Sequence, residues 1–188
     1  MLVQELIRFW FDVDSSEKSS PPREFWFRST PEIDADIAAR FQTSHELAAL
    51  GGSDALIESA DGALALILLL DQIPRNIFRS TARAFLTDAK ALSIAKHAID
   101  HGFDRAMSNN AKMFLYLPFE HSENLQDQER SIELFTGLGN TDTLKWAVDH
   151  CAVIRQFGRF PHRNAIMGRD STTDELEYLK DHPSWGQG

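Results

Sequence analysis

The sequence predicts an all-α protein in which neighbouring helices pack as antiparallel hairpins. Apolar residues recur at three- and four-residue steps through nearly every segment, which is the period of an amphipathic helix. No window alternates strictly between apolar and polar residues, as a half-buried strand would. The connections are short, and short connections favour antiparallel neighbours. A length of 188 residues fits a single α-helical domain covering residues 1–188.

Three helices are predicted in the first half of the chain. The first has Thr30 as its N-cap, carries a proline in its first turn and ends before Gly51. The second is expected to stop near Pro74, because a proline disfavours helical geometry in the residue before it. The third covers about 82–101, and Gly102 stands where a left-handed residue would end it.

Four more helices are predicted in the second half. The first covers about 110–117 and is followed by a proline that disturbs the helix. The next two cover about 124–138 and 142–157, with a Gly-Asn turn between them. The last begins at Thr172, whose spacing from Glu175 is that of a capping box.

Two segments are expected to lie outside the packed helices. Residues 14–22 are rich in Ser and Pro, which predicts a mobile surface loop, and residues 183–188 are predicted to fray. The aromatic residues near the N-terminus are expected to pack the first helices against the body. They are Phe9, Trp10, Phe11, Phe25, Trp26 and Phe27.

The charge balance argues against two classes of partner. The chain has 19 Lys and Arg against 28 Asp and Glu, for a formal net charge of −9. An acidic surface works against tracking of nucleic-acid phosphates and against adhesion to anionic membranes. The longest apolar run, 63–70, is far too short to span a bilayer. We therefore expect neither nucleic acid nor membrane as a partner, while the oligomeric state stays open.

The cysteine content and the absence of familiar motifs exclude further classes of site and reaction. The lone Cys151 excludes an internal disulfide framework and a Cys-rich zinc site. No targeting leader is visible, so a reducing, cytoplasmic location is expected. The sequence lacks a nucleophile elbow, a phosphate-binding Gly-rich loop and a dinucleotide fingerprint. No cofactor is therefore expected.

Asp71 is the first polar residue that breaks the helical pattern. It lies three residues after Leu68 and shares the buried face of that residue if the helix extends so far. A carboxylate there needs a cationic or N–H partner, because burying it unpaired is costly. Arg75 and Arg79 follow closely and suit such a pairing. A structural ion pair is the favoured interpretation, with ligand binding as the alternative.

The second candidate region is 114–123. If the helix continues past its proline, His121 points inward below Leu117. Glu120, His121 and Glu123 then suit acid–base chemistry or metal binding, since imidazole titrates near neutral pH. An inward His is more often a hydrogen-bonded core residue. A paired motif such as His-Glu-x-x-His is absent, so no metal is expected.

The third candidate region, 155–169, is rich in arginine. Gly and Pro break the helix there, which frees backbone donors that are able to cradle a phosphate or a carboxylate. The alternative is that these arginines tie loops together through the surplus carboxylates. The candidate residues of this region are Arg159, His162, Arg163, Asn164 and Arg169.

The second half of the chain repeats a motif of the first. Residues 74–81 and 161–172 each contain Pro, Arg-Asn, Ile, Arg and Ser-Thr in that order. If these two corners lie side by side, four arginines converge and require carboxylates to offset their repulsion. The arginines are Arg75, Arg79, Arg163 and Arg169, and the candidate carboxylates are Asp71, Glu120 and Glu123.

Four long motifs stand out along the chain: FWF at 9–11, DQIPRNIFR at 71–79, FLYLPFEHSE at 114–123 and FGRFPHRN at 157–164. Together they resemble the bacterial family known as domain of unknown function 924. The resemblance covers nearly the whole chain and implies a tetratricopeptide-like, all-helical fold. It implies no activity, because the family has no biochemical role to carry over.

Three functional hypotheses follow. The first is a pocket for a small anionic ligand, a phosphate ester or a carboxylate, in which His121 or His162 exchanges a proton with Glu120 assisting. The ligand-binding residues would be Asp71, Arg75, Arg79, Glu123, Arg159, Arg163, Asn164 and Arg169. The second is a protein–protein interaction module, by analogy with other helical hairpin stacks. The third is a buried polar brace that binds no ligand.

Overall fold

The structure is a computed structural model that describes residues 2–182. Within that range the chain forms helices and no strand, so the all-α prediction is confirmed. The α-helices are α1 Leu2–Phe11, α2 Pro31–Ala49, α3 Ala60–Ile67, α4 Ile73–Ile77, α5 Asp88–Asp100, α6 Asn109–Glu120, α7 Leu125–Leu138, α8 Thr141–Phe157 and α9 Thr173–Asp181. A π turn, Leu68–Gln72, joins α3 to α4. The predicted frayed tail at 183–188 lies outside the described residues.

The helix ends that local signals predict are in place. The Thr30 hydroxyl accepts a hydrogen bond from a backbone N–H in the first turn of α2. Gly102 and Gly139 follow α5 and α7 with φ of 70° and 75°, a conformation that side chains disfavour. Thr172 and Glu175 form the predicted capping box of α9. These ends are correct because each depends on neighbours within a few residues.

The prediction that a helix stops near Pro74 is wrong, since α3, the π turn and α4 form one continuous helical segment. Pro74 has no N–H to donate. The Leu69 carbonyl therefore lacks the donor of a π-helical hydrogen bond, and the Leu70 carbonyl lacks the donor of an α-helical one. His45 Nδ1 lies 2.8 Å from the Leu69 oxygen. The Thr87 hydroxyl donates to the Leu70 oxygen. Side chains from other elements therefore replace the hydrogen bonds that proline removes.

Two other helix boundaries differ from the prediction. α5 begins at Asp88, because residues 82–84 form a separate 3-10 turn. α6 continues past Pro118 to Glu120. The residues on both sides of this proline are buried, and their packing outweighs one lost hydrogen bond. The extended α6 carries Glu120 beyond the predicted helix end, with His121 as its C-cap.

α3 and the π turn form the centre of the core. Every side chain in 63–70 is fully buried, and the segment contacts α1, α2, α5 and α6. In the N-terminal aromatic cluster, the rings of Trp10, Phe11 and Trp26 pack edge-on against Phe114 of α6. Phe27 stacks on Phe114 as well, with ring centroids 6.3 Å apart, but the residue stays 63% exposed.

The remaining helices pack as sequence neighbours. α6 contacts α7 and α7 contacts α8 across short connections, as a hairpin arrangement requires. The likeness to tetratricopeptide repeats stays a prediction. Among residues 2–182, no helix has both the length and the apolar character needed to cross a membrane.

Hydrogen bonds tie the 14–22 segment to the body, one of them from the Ser108 N–H to the Ser16 carbonyl at 2.8 Å. The Ser16 N–H donates to the Asp61 carboxylate at 2.9 Å. The Asn110 side-chain amide donates to the Ser20 carbonyl at 2.6 Å. The mobility of this segment stays a prediction.

Candidate functional site

A cleft of about 1080 Å³ is lined by residues 26–29 and by parts of α4, α6, α8 and α9. Its floor includes Leu117, Glu120 and His121 from the end of α6. One wall contains Phe27 and the end of α4, and the other wall comes from α8 and α9. The volume is at the upper end of the roughly 300–1,000 Å³ that is typical of small-molecule pockets. The cleft therefore has room for a ligand directly over the predicted Glu-His pair.

Asp71 is fully buried in the π turn. Its Oδ1 lies 2.7 Å from His121 Nδ1 and 3.2 Å from Arg75 Nη1. Its Oδ2 accepts a hydrogen bond from the side chain of Gln72. Burial by itself raises the pKa of Asp71, but the neighbouring Arg75 and His121 hold that pKa well below its ordinary value. Asp71 is therefore ionised at neutral pH.

The two arginine-bearing corners meet at Asp88, the first residue of α5. Both Nη atoms of Arg75 bind its carboxylate, each at 2.9 Å, and Arg163 Nη1 lies 3.4 Å from it. The guanidinium of Arg163 also lies 4.6 Å from the ring centroids of Phe85 and Phe160. Asp88 is thus the carboxylate that neutralises Arg75 and Arg163.

His121 is held at both its ring and its backbone. Asp71 binds Nδ1, and Arg163 donates to the His121 carbonyl at 3.1 Å. The side chain is 14% exposed and lines the cleft. Burial and the charge of Arg75 lower the pKa of His121, so the imidazole is neutral at pH 7. The carboxylate contact assigns its proton to Nδ1 and leaves Nε2 as an acceptor.

Glu120 lies beside His121 on the cleft floor and is 5% exposed. Burial and the nearby charge of Asp71 raise the pKa of Glu120 to about 8. Its Oε1 lies 3.4 Å from Nδ1 of His150, a residue whose pKa burial lowers to about 3. The same Nδ1 lies 2.8 Å from the Trp146 carbonyl. Both Glu120 and His150 are therefore uncharged at pH 7.

Arg79 pairs with a carboxylate at the edge of the cleft. Its Nε lies 2.6 Å from Asp34 Oδ2, and Asn76 donates to Oδ1 of the same carboxylate at 2.7 Å. Arg79 and Asn76 both line the cleft. Arg79 thus pairs with a different carboxylate from Arg75, which also lines the cleft, and only part of its guanidinium is occupied.

Glu123 does not line the cleft and instead braces the loop at 158–172, which we call the C-terminal corner. It accepts hydrogen bonds from both Nη atoms of Arg169 at 2.6 and 3.0 Å. The Phe160 N–H donates to it at 2.8 Å. Burial raises the pKa of Glu123, but Arg169 and the Phe160 N–H outweigh burial and lower it. Glu123 is therefore an ionised structural partner.

The other candidates of the C-terminal corner lie outside the cleft lining. Arg159 pairs with Glu175 at 2.6 Å, and the buried Asn164 donates to the Ser171 hydroxyl at 3.1 Å. Burial and Arg163 lower the pKa of His162 to about 3. Ligand roles for Arg159, His162 and Asn164 stay predictions.

The residues described here offer no cluster for a metal ion. Among positions 2–182, no group of three or more His, Cys, Asp or Glu side chains is placed to hold one. Glu120 and His121 lie on the cleft floor, while Glu123 turns to the C-terminal corner. The three predicted candidates of 114–123 are thus divided between two environments.

Sequence reasoning missed several residues of the site. Asp88 and Asp34 pair with the arginines, and neither stands near them in the sequence. His150 had a weak signal, because it falls on one helical stripe with the buried Ala147 and Ile154. Phe27 was expected to pack against the body, and it does stack on Phe114, but its exposure at the cleft has no signal in the sequence.

A family match covers most of the chain. Residues 6–182 match the family described as "Bacterial protein of unknown function (DUF924)". The chain belongs to this family. It is also similar to a solved structure of a protein of unknown function from Agrobacterium tumefaciens, with 38% identity, a TM-score of 0.87 and coverage of 96% of this chain and 98% of that one. No curated protein matches the chain significantly. Membership in the family confirms the resemblance of the four motifs and assigns no activity.

Proposed function

We propose that the cleft binds a small molecule that combines an apolar body with one anionic group, either a carboxylate or a phosphate ester. The observation that supports this most strongly is the composition of the cleft around 114–123. Apolar side chains such as Phe27 and Leu117 share one lining with Arg79, Glu120 and His121. Such a mixture is typical of ligand pockets, in which a few polar groups orient a mainly apolar ligand.

The anionic group is best accommodated between Arg28 and Arg79. Asp34 occupies Nε and Nη2 of Arg79, which leaves Nη1 for a ligand, and the side chain is 34% exposed. Arg28 is exposed, lines the cleft and makes no ion pair with another described residue. A guanidinium group suits both carboxylates and phosphates, because its N–H groups match two oxygens at once.

The apolar body is best accommodated against the wall that carries Phe27. Phe27 is 63% exposed, although its ring stacks on Phe114 and the neighbouring Trp26 is buried in the core. A large exposed aromatic residue at a cleft marks a surface that a ligand is able to cover. Leu117 and Met113 extend this apolar surface along the floor.

The pairing of the inner arginines favours a bracing role for them. Arg75 and Arg163 already share Asp88 and are almost fully buried. Removing such a partner would leave a buried charge unpaired, so these residues are poor candidates for direct ligand contact. The proposed ligand therefore contacts Arg79 and Arg28 and leaves the inner ion pairs intact.

Two probes test the proposal: benzoate and phenyl phosphate, with benzyl alcohol as the uncharged comparison. Isothermal titration should detect both anions on the full chain. Arg79→Gln should weaken their binding about tenfold or more, as expected for loss of a charge-assisted contact. Benzyl alcohol should bind equally weakly to the wild type and the variant.

The matched control is Arg83→Gln. Arg83 pairs with Glu46 on the surface and does not line the cleft. Its substitution should leave anion binding unchanged. Absence of binding in the wild type, or equal binding by Arg79→Gln, would contradict the proposal. Recovery of a peptide or protein as the tight binder of the cleft would instead favour the interaction-module hypothesis.

A further inference from the structure

We propose that His121 and Glu120 are the general base and general acid of a hydrolase, and that its substrates are small carboxylic esters with a second, anionic group. The inference rests on the proposed function, because the anionic group is the one that Arg79 would hold. It goes further in assigning a reaction to the cleft floor.

His121 has the placement that a base requires. Asp71 fixes Nδ1 at 2.7 Å, and Arg163 holds the His121 carbonyl at 3.1 Å, so both ring and backbone are positioned. The described residues make no hydrogen bond to Nε2, and the ring lines the cleft. A neutral imidazole oriented by a carboxylate takes up a proton at Nε2, and the carboxylate then stabilises the charged ring.

Glu120 has the placement that an acid requires. It adjoins His121, lines the same cleft and lies next to the fixed negative charge of Asp71. Burial and that charge favour its protonated form, so at neutral pH it has a proton to donate. The neutral His150 at 3.4 Å does not reverse this preference.

Water is the nucleophile that fits this floor. Among the described residues, no Ser, Thr or Cys side chain bonds to His121, and Cys151 does not line the cleft. His121 Nε2 takes a proton from water while the water oxygen bonds to the ester carbonyl carbon, and the π pair of the carbonyl moves onto its oxygen. That pair re-forms the carbonyl as the bond from the carbon to the leaving oxygen breaks, and Glu120 gives its proton to the leaving oxygen. The products are a carboxylic acid and an alcohol, and the proton on His121 returns through solvent to Glu120.

Two esters separate the roles of base and acid: monobenzyl succinate and mono-p-nitrophenyl succinate. Benzyl alkoxide needs a proton to leave, whereas p-nitrophenolate leaves without one. His121→Gln should lower kcat about 100-fold on both esters. Glu120→Gln should lower kcat about 100-fold on the benzyl ester but only about tenfold on the p-nitrophenyl ester. A residue with only a structural role would lower both rates alike.

The control for His121 is His101→Gln. His101 is exposed at the end of α5 and does not line the cleft, so both rates should stay at the wild-type level. If His121→Gln fails to fold, the wild-type pH profile tests the base instead: the rates on both esters should fall in acid, below the ordinary imidazole pKa of 6.5, as His121 becomes protonated. The benzyl-ester rate should fall on the alkaline side near pH 8, as Glu120 loses its proton, and the p-nitrophenyl-ester rate should not.

Failure of this inference is distinguishable from failure of the proposed function. A wild-type protein that binds benzoate and hydrolyses neither ester would overturn the hydrolase and leave the binding site standing. Equal losses on both esters in Glu120→Gln would overturn the acid role. If benzoate does not bind and neither ester is hydrolysed, both proposals are wrong.

Discussion

Glu120 and Glu123 lie three residues apart in the same motif, one at the end of α6 and one beyond it, and the fold gives them opposite chemistry. Glu120 faces the cleft beside Asp71, and burial with that negative charge raises its pKa to about 8. Glu123 faces the C-terminal corner, where Arg169 and the Phe160 N–H lower its pKa despite burial. Burial penalises the charged form of both, so the partner decides the sign of the shift.

The two environments also differ in how completely their charges are paired. In the C-terminal corner, Glu123 faces Arg169 and Glu175 faces Arg159, each through two hydrogen bonds. On the cleft floor, no cation among residues 2–182 acts on the pKa of Glu120, and Nε2 of His121 makes no hydrogen bond with any of those residues. Saturated pairs are typical of structural bracing, whereas unsaturated groups at a cleft are typical of a functional site.

The largest effect is expected from Asp71→Ala on the cleft side. It removes the buried partner of His121 and one partner of Arg75, so the free energy of unfolding should fall by about 3–5 kcal/mol. Urea unfolding followed by circular dichroism measures the loss. Asp71→Asn should cost less, because the amide keeps part of the hydrogen bonding. Losses below about 1 kcal/mol for both variants would contradict the bracing role.

A smaller effect with a characteristic pH dependence is expected from Glu120→Gln. From pH 6.5 to 8 the folded protein keeps a proton on Glu120 that the unfolded chain has released. The wild-type free energy of unfolding should therefore fall by up to about 1.4 kcal/mol per pH unit over that window. The lowered pKa values of His121, His150 and His162 act in the opposite direction around and below their ordinary value of 6.5, and they do so in wild type and variant alike.

Glu120→Gln has no proton to retain, so the fall in stability between pH 6.5 and 8 that Glu120 causes should be absent from the variant. Urea unfolding at several pH values compares the two proteins. The total difference across the window should be about 2 kcal/mol. A wild type and a variant with parallel pH dependences would show that Glu120 is ionised in the folded protein, which would also remove the proposed acid.

The smallest effect is expected from Glu123→Gln, with the opposite pH dependence. Its lowered pKa adds stability above the unfolded value of 4.5, and this is lost as pH falls through the folded pKa. At pH 7 the variant should be about 1 kcal/mol less stable than the wild type, and the gap should close in acid. A double-mutant cycle with Arg169→Gln isolates the pair. A gap that persists in acid would contradict the ionised pairing.

The sequence was sufficient wherever a structure depends on near neighbours. Thr30, Gly102 and the Thr172 capping box end or begin helices through contacts within a few residues. The predicted helix end at Pro74 was wrong because the hydrogen bonds that proline removes are replaced by His45 and Thr87, which come from distant parts of the chain. The helical period likewise placed His121 inward without identifying what it meets.

The candidate site was predictable only in its residue types. Repeated Arg-Asn corners and the Glu-His pair indicated an ionic cluster, and Arg75 and Arg163 do come together. Asp88 is 13 residues from Arg75 and 75 from Arg163, so no local rule connects them. Arg79 likewise pairs with Asp34, which is 45 residues away, and no local rule predicts that contact.

By itself, the sequence determined the all-α class, most helix ends, the family and the set of ionisable residues, because periodicity, capping and motifs are local properties. Only the tertiary structure decided which carboxylate each arginine received and which glutamate faced the cleft. The pKa of a side chain depends on the charges and burial within a few ångströms of it. Packing brings those neighbours together from across the chain, so the directions of the pKa shifts of Glu120 and Glu123 follow only from the tertiary structure.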